Sequence, residues 1–253
     1  MPNKATAFAL IGDRYHNSDY IRTALRRTLV QGLGLTIDFT DDVNLLNAEN
    51  LSGYRLLLLF RDGMIWPNGY GDTAFWNGRA DVVHITSDPA LPALETRMEY
   101  WMTAAQGQAI RAFVEGGGSA LLMHNVTYIA TENADFRHTL GAATQGHPPV
   151  RAFKVEISNR AHPIMQGASD FVVTDEQHYM TYDSDPAHVL MRSINEDGLT
   201  FKELGTSCEA GWAYDYGQGR VCYLAPGHTI PALWNPVYVG IQQNAVRWLL
   251  RQI

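Results

Sequence analysis

Three of the nine histidines in this chain, His16, His124 and His228, stand just past short apolar runs that end in turn residues. Imidazole carries protons near neutral pH and, when neutral, ligates divalent metals such as zinc. A fourth polar cluster, "TDEQHY" (174–179), follows another apolar run and places Asp175 and Glu176 before His178 and Tyr179. A carboxylate there supplies a general acid or base, unless the pair only caps a surface turn. Two chemistries are open to these groups. In one, His16, His124 and His228 hold a divalent metal, with Glu176 as base. In the other, His124, Glu176 and His228 work without metal as acid and base.

The histidines are far apart in sequence, so the elements between them must bring them together. The segments 6–12, 35–39, 54–60 and 119–123 are apolar runs of strand length. A helix follows the first, capped by Asn17 or Ser18, buried through Ile21, Leu25 and Thr28/Leu29, and stopped by Gly32 and Gly34. Helical patterning returns over 95–115, over a short segment closed by Gly141, and over 236–251. Strands dominate the second half, at 152–158, 171–176, 188–193, 211–216 and 220–225, the last two joined by the hairpin "DYGQGRV". This order predicts one α/β domain over 1–253, a flavodoxin-like doubly wound, mostly parallel sheet with helices on both faces and added antiparallel strands late in the chain. Such sheets bind ligands beyond the carboxyl ends of their strands. His16, His124 and His228 should therefore converge on one edge, with Asp13, Tyr15 and Asn125 beside them.

The segment 62–94 breaks the periodicity and reads as a long inserted loop. Its Trp66, Tyr70, Phe75 and Trp76 offer apolar faces for sugar rings, or pin the loop to the body. Of the other histidines, His84, His138 and His188 read as structural or exposed, and His162 as turn chemistry before Pro163. His147, before Pro148, admits either reading.

Apolar residues at 46% and charged residues at 18% are ordinary globular values, and the formal net charge of −7 argues against nucleic acid as a partner. No stretch approaches the apolar length of a membrane span, and the first apolar run is too short for a signal peptide. A soluble cytoplasmic protein is expected. Cys208 and Cys222 lack metal-site spacing.

With these pieces in view, "GDRYH", "FVEGGGSALLMHN", "GHPPVRAFKVEI", "AHPIMQGASDFVVTDEQHY" and "GWAYDYGQGRVCYLAPGH", the chain resembles the trehalose-utilisation (ThuA-like) family of the class I glutamine-amidotransferase-like superfamily. His178 inside the Asp-Glu cluster and the long aromatic loop depart from the family pattern. The resemblance implies a sugar substrate, a disaccharide or glycoside already oxidised to a keto sugar by a partner dehydrogenase, and a hydrolase, lyase or isomerase. Tyr179, Trp66 and Trp76 join Asp13, Tyr15 and Asn125 as expected sugar contacts. The superfamily's nucleophilic cysteine would stand where this chain has His124, so thiol chemistry is not expected. A non-catalytic carbohydrate-binding module, or an oligomerising one that forms homo-oligomers, is the rival reading.

Overall fold

The runs "AFALI", "LLLLF" and "SALLM" form strands in which every residue is buried, the pattern of strands covered on both faces. The computed structural model describes residues 5–67, 88–89 and 97–253. β1 (Ala7–Ile11) leads to α1 (Ser18–Leu25), whose N-cap Asn17 accepts the Asp19 N–H, and the helix widens into a π-helical turn over Arg26–Gln31. β2 (Ile37–Thr40), α2 (Ala48–Leu51) and β3 (Leu56–Phe60) follow.

β4 (Met64–Ile65) and β5 (Glu99–Tyr100) form a short antiparallel ribbon across the base of the 62–94 segment. This corrects the helix expected from residue 95: α3 begins only at Ala104 and runs to Glu115. Thr103 and Gln106 form a capping box there, so the start is set by satisfied N–H groups and not by apolar periodicity. β6 (Ser119–Met123) then opens into a 3-10 segment, His124–Thr131, and α4 (Ala134–Leu140) closes on Gly141 at φ +78°.

The second half contains β7 (Ala142–Gly146), β8 (Arg151–Ile157), β9 (Phe171–Asp175), β10 (Tyr179–Tyr182), β11 (Val189–Ile194), β12 (Ser207–Tyr216) and β13 (Gly219–Leu224). α5 (Ile230–Leu233) and α6 (Pro236–Leu249) complete the chain, and α6 buries Tyr238, Ile241, Ala245 and Trp248. β7 and β10 were not expected. They pair with each other as a separate antiparallel sheet, and β7 lacks the apolar alternation that marks a strand in sequence.

The main sheet has nine strands in the order β2-β1-β3-β6-β13-β12-β11-β8-β9. Its first five strands are parallel and the rest antiparallel. The parallel half has the flavodoxin-like order, and its ligand edge lies at the carboxyl ends of β1, β3, β6 and β13. α1 packs with α5, and α3 with α2 and α4, as two groups of helices on the sheet.

One carboxylate ties the two halves together. Four strand steps separate β9 from β13, about 19 Å on a flat sheet. Asp175 at the end of β9 nevertheless accepts backbone N–H bonds from His228 (3.0 Å), Thr229 (3.1 Å) and Gly227 (3.3 Å) after β13, and from Glu176 (2.8 Å). The antiparallel half therefore curls back toward the parallel half. Asp175 is fully buried, so the surface-turn reading of the Asp-Glu pair is set aside. Asp175→Asn replaces an all-acceptor group with one that presents an N–H to these donors. About 2–3 kcal/mol of stability should be lost, seen in calorimetry as a Tm lower by roughly 4–12 °C.

Candidate functional site

Two of the three histidines at the sheet edge, His16 and His124, are held by a partner that decides which ring nitrogen faces the site. In the turn after β1, Asp13 Oδ1 accepts the backbone N–H of Tyr15 (2.8 Å) and His16 (2.9 Å), and lies 2.9 Å from His16 Nδ1. Asp13 Oδ2 accepts from Asn125 Nδ2 at 2.7 Å and from the Asp62 N–H at 3.0 Å. Burial opposes ionisation of Asp13, but the His16 contact and these bonds hold its carboxyl down at about 2. Asn125 Nδ2 also lies 2.8 Å from His16 Nδ1 but donates to Asp13 Oδ2, so Nδ1 of His16 donates to the Asp13 carboxylate and Nε2 is the free lone pair.

His124 is the first residue past β6 and sits at φ +55°, a left-handed conformation that costs a non-glycine residue of order 1–2 kcal/mol. Its Nδ1 lies 2.8 Å from the Ala225 carbonyl, which can only accept, so Nε2 is again the free lone pair. The Tyr223 hydroxyl donates to the His124 carbonyl at 2.6 Å. Gly227 packs against the ring so closely that a Cβ there would stand 2.6 Å from His124 Cβ.

The free nitrogens meet. His16 Nε2 lies 3.1 Å from His124 Nε2 and 3.0 Å from His228 Nδ1. Glu176 completes the set, with Oε2 3.3 Å from His124 Nε2 and 3.9 Å from His16 Nε2, and Oε1 3.2 Å from His228 Nδ1. Ligands of a tetrahedral zinc, with bonds of about 2.0–2.1 Å, stand about 3.3–3.4 Å apart. Two unprotonated Nε2 atoms in contact repel unless a proton or a cation lies between them. The donor set thus fits a divalent metal, with Asp13 and the Ala225 carbonyl as the outer partners that orient ligating histidines.

Glu176 also reaches the other way, 3.2 Å from His178 Nε2 and 3.5 Å from His147 Nε2. Burial resists its ionisation, but His124, His178 and His228 outweigh that and hold the carboxyl far below its usual range. Burial pushes His178 well below the ordinary histidine value, and His16 down also, which leaves both neutral as ligands must be. His228 moves up, mainly through its contact with Glu176. A cavity of about 360 Å³ opens beside these groups, lined by Tyr15, Asp62, Asn125, Tyr128, His147 and His178 among others.

His16, His124, Glu176 and His228 are thus brought together, and Tyr15 and Asn125 line the cavity. Three expected sugar contacts do not. Asp13 has no exposed side-chain surface and spends its oxygens on His16, Asn125 and backbone. Tyr179 is buried, its hydroxyl donating to the Gly205 carbonyl and its ring against Phe201. Trp66 lines the neighbouring cavity, edge-on to Tyr15 and under the Arg14 guanidinium. Tyr70, Phe75, Trp76 and His84 lie outside the described residues.

Sequence reasoning did not assign His147, His178, Asp62 or Tyr128 to the site. The His-Pro turn and the extra histidine in "TDEQHY" were signals for the first two, but only the β7–β10 pairing joins them. Both cysteines are free and buried, and burial pushes the Cys208 thiol up to about 12. Neither stands at the His124 turn.

The family model described as trehalose utilisation matches residues 10–249. A search of curated proteins returns no match. Among solved structures, a ThuA-like protein from Bacteroides uniformis is 18% identical, with 96% of this chain and 90% of that one covered at a TM-score of 0.64. One from Parabacteroides merdae is 14% identical, with 97% and 90% covered at a TM-score of 0.66. A cold-adapted β-galactosidase from Rahnella sp. R3 is 13% identical, with 98% of this chain but 31% of that one covered, at a TM-score of 0.57. No helix among the described residues is long and apolar enough to cross a membrane.

Asp62, at the end of β3, is the cavity's unusual acid. It is 1% exposed; Oδ1 accepts the Met64 N–H, and among the described residues Oδ2 has no partner. Burial and the Asp13 charge raise it to about 7. Because this folded value lies above the unfolded 3.8, its contribution to stability is full below about pH 3.8 and is lost as pH rises through about 7. In metal-free protein, Asp62→Asn should therefore match the wild type near pH 4. At pH 8 it should melt higher by roughly 4–8 °C, for about 2 kcal/mol, as followed by thermal denaturation across pH.

Proposed function

Because the chain belongs to the trehalose-utilisation (ThuA) family, we propose that it is a metal-assisted enzyme of carbohydrate catabolism acting on a keto derivative of a disaccharide or glycoside. The observation that carries this reading is the 3.1 Å contact between the lone-pair nitrogens of His16 and His124 beside the Glu176 carboxylate. His16, His124, His228 and Glu176 would hold the ion. When bound, a divalent metal polarises a carbonyl oxygen and lowers the pKa of a bound water or hydroxyl.

The chain's own residues supply the rest. Glu176, held so firmly ionised, serves better as ligand than as base. Asp62 lines the cavity, its buried Oδ2 has no partner among the described residues, and its pKa is near the working range, so it takes that role. A keto group acidifies the C–H bonds beside it, and Asp62 Oδ2 accepts such a proton. Return of the proton to the neighbouring carbon gives isomerisation; departure of a β-oxygen gives elimination. Asn125, Tyr15 and Tyr128 orient the sugar. The oxidised substrate would come from a dehydrogenase, and a cytoplasmic location fits the two free, buried cysteines.

Elemental analysis of purified protein beside His124→Ala tests the centre: metal in the wild type and its loss from the variant are expected. Turnover of 3-keto glycosides should fall about 10²–10⁴-fold in Asp62→Asn and be abolished in Glu176→Gln. Sugar binding without turnover in the wild type would favour the rival, a non-catalytic carbohydrate-binding module.

A further inference from the structure

The contacts of Glu176 exceed what one metal ion explains. His147 Nδ1 lies 2.9 Å from the Pro148 carbonyl, which only accepts, so Nδ1 carries the proton and Nε2 is a bare lone pair. That lone pair stands 3.5 Å from Glu176 Oε2, acceptor against acceptor. The arrangement repeats the one at His124, where the Ala225 carbonyl sets the tautomer and Nε2 meets the same oxygen at 3.3 Å. His178 brings Nε2 to 3.2 Å of that oxygen from a side chain only 1% exposed, and its Nδ1 has no partner among the described residues. One carboxylate oxygen has lone pairs for about two hydrogen bonds, and three imidazole nitrogens crowd this one.

The fold builds the second group deliberately. His147 follows β7 and His178 precedes β10, and the register pairs Tyr179 with Gly146, which sets the two rings 4.7 Å apart. Ligand atoms of His147, Glu176 and His178 all lie within 4.8 Å of one another. We propose that Glu176 bridges two divalent cations, the first held by His16, His124 and His228 and the second by His147 and His178. The proposal rests on the metal reading above and deepens it.

The two positions differ in access. The first has four protein ligands and takes a substrate oxygen only by expanding to five-coordinate; the second has three, which leaves a coordination position for substrate. His147, Glu176 and His178 all line the 360 Å³ cavity. Paired ions about 3.5–4 Å apart clamp two neighbouring oxygens of one substrate. The fitting ligand class is therefore an α-hydroxy ketone or a vicinal diol, as a keto sugar provides.

The test is a count. Metal-free wild type, His147→Ala and His16→Ala are each loaded with zinc, freed of excess ion by gel filtration and analysed for metal. Two ions per wild-type chain and one in His147→Ala are expected, and the manganese-loaded wild type should give an exchange-coupled EPR spectrum that His147→Ala lacks. His178→Gln, with its fold checked by circular dichroism, should also hold one ion. One ion in the wild type, unchanged in His147→Ala and lost in His16→Ala, would overturn the pair and leave the single-metal reading standing. Two ions retained in His147→Ala would overturn the assignment of the second site, and no ion in any protein would overturn both readings.

Discussion

Everything at the sheet edge depends on the Asp175 carboxylate. It accepts the backbone N–H groups of Gly227, His228 and Thr229 as well as that of Glu176. Three of those donors follow β13 in the middle of the sheet, the fourth follows β9 at its far edge, and in all four bonds the donor is backbone. A buried carboxylate needs several donors to remain in a low-dielectric interior. The chain supplies them by curling the antiparallel half back, and the curl carries Glu176 to the histidines of the parallel half.

Around that clamp the site is organised by groups that do not line the cavity. Asp13 and the carbonyls of Ala225 and Pro148 each take the Nδ1 proton of one histidine and so aim its Nε2 inward. The left-handed His124 is kept in place by the Tyr223 hydroxyl on its carbonyl and by Gly227 against its ring. The backbone turn after β6 thus presents an imidazole lone pair. Strain of this kind persists only where the surroundings over-determine it.

Much of this was legible in the residues. The apolar runs at β1, β3, β6 and β13 read as strands because residues buried on both faces leave no polar positions, and their parallel order put His16, His124 and His228 on one edge. The failures have specific causes. β7 has too little apolar alternation to be seen, so His147 could not be placed. α3 starts at a capping box and not where its apolar pattern fades, so the β4–β5 ribbon was missed. Tyr179 alternates with its neighbours along β10, and its side chain fell on the face away from the cavity. Asp62 looked like one more loop acid, because its burial and its nearness to Asp13 arise only in the folded chain.

The sequence by itself determined the strands of the flavodoxin-like half of the sheet, the absence of a cysteine at the turn after β6, and three of the converging histidines. These follow from local patterning, since strand burial and turn chemistry are written in consecutive residues. Only the tertiary structure decided that five imidazoles surround one carboxylate, which nitrogens face it, and which acid lines the cavity. Those depend on contacts between residues more than a hundred positions apart, such as His16 with His228 and His124 with Ala225. Asp13 beside His16 and Pro148 beside His147 are local partners, but what each ring then faces is set across such distances, and no run of consecutive residues records it.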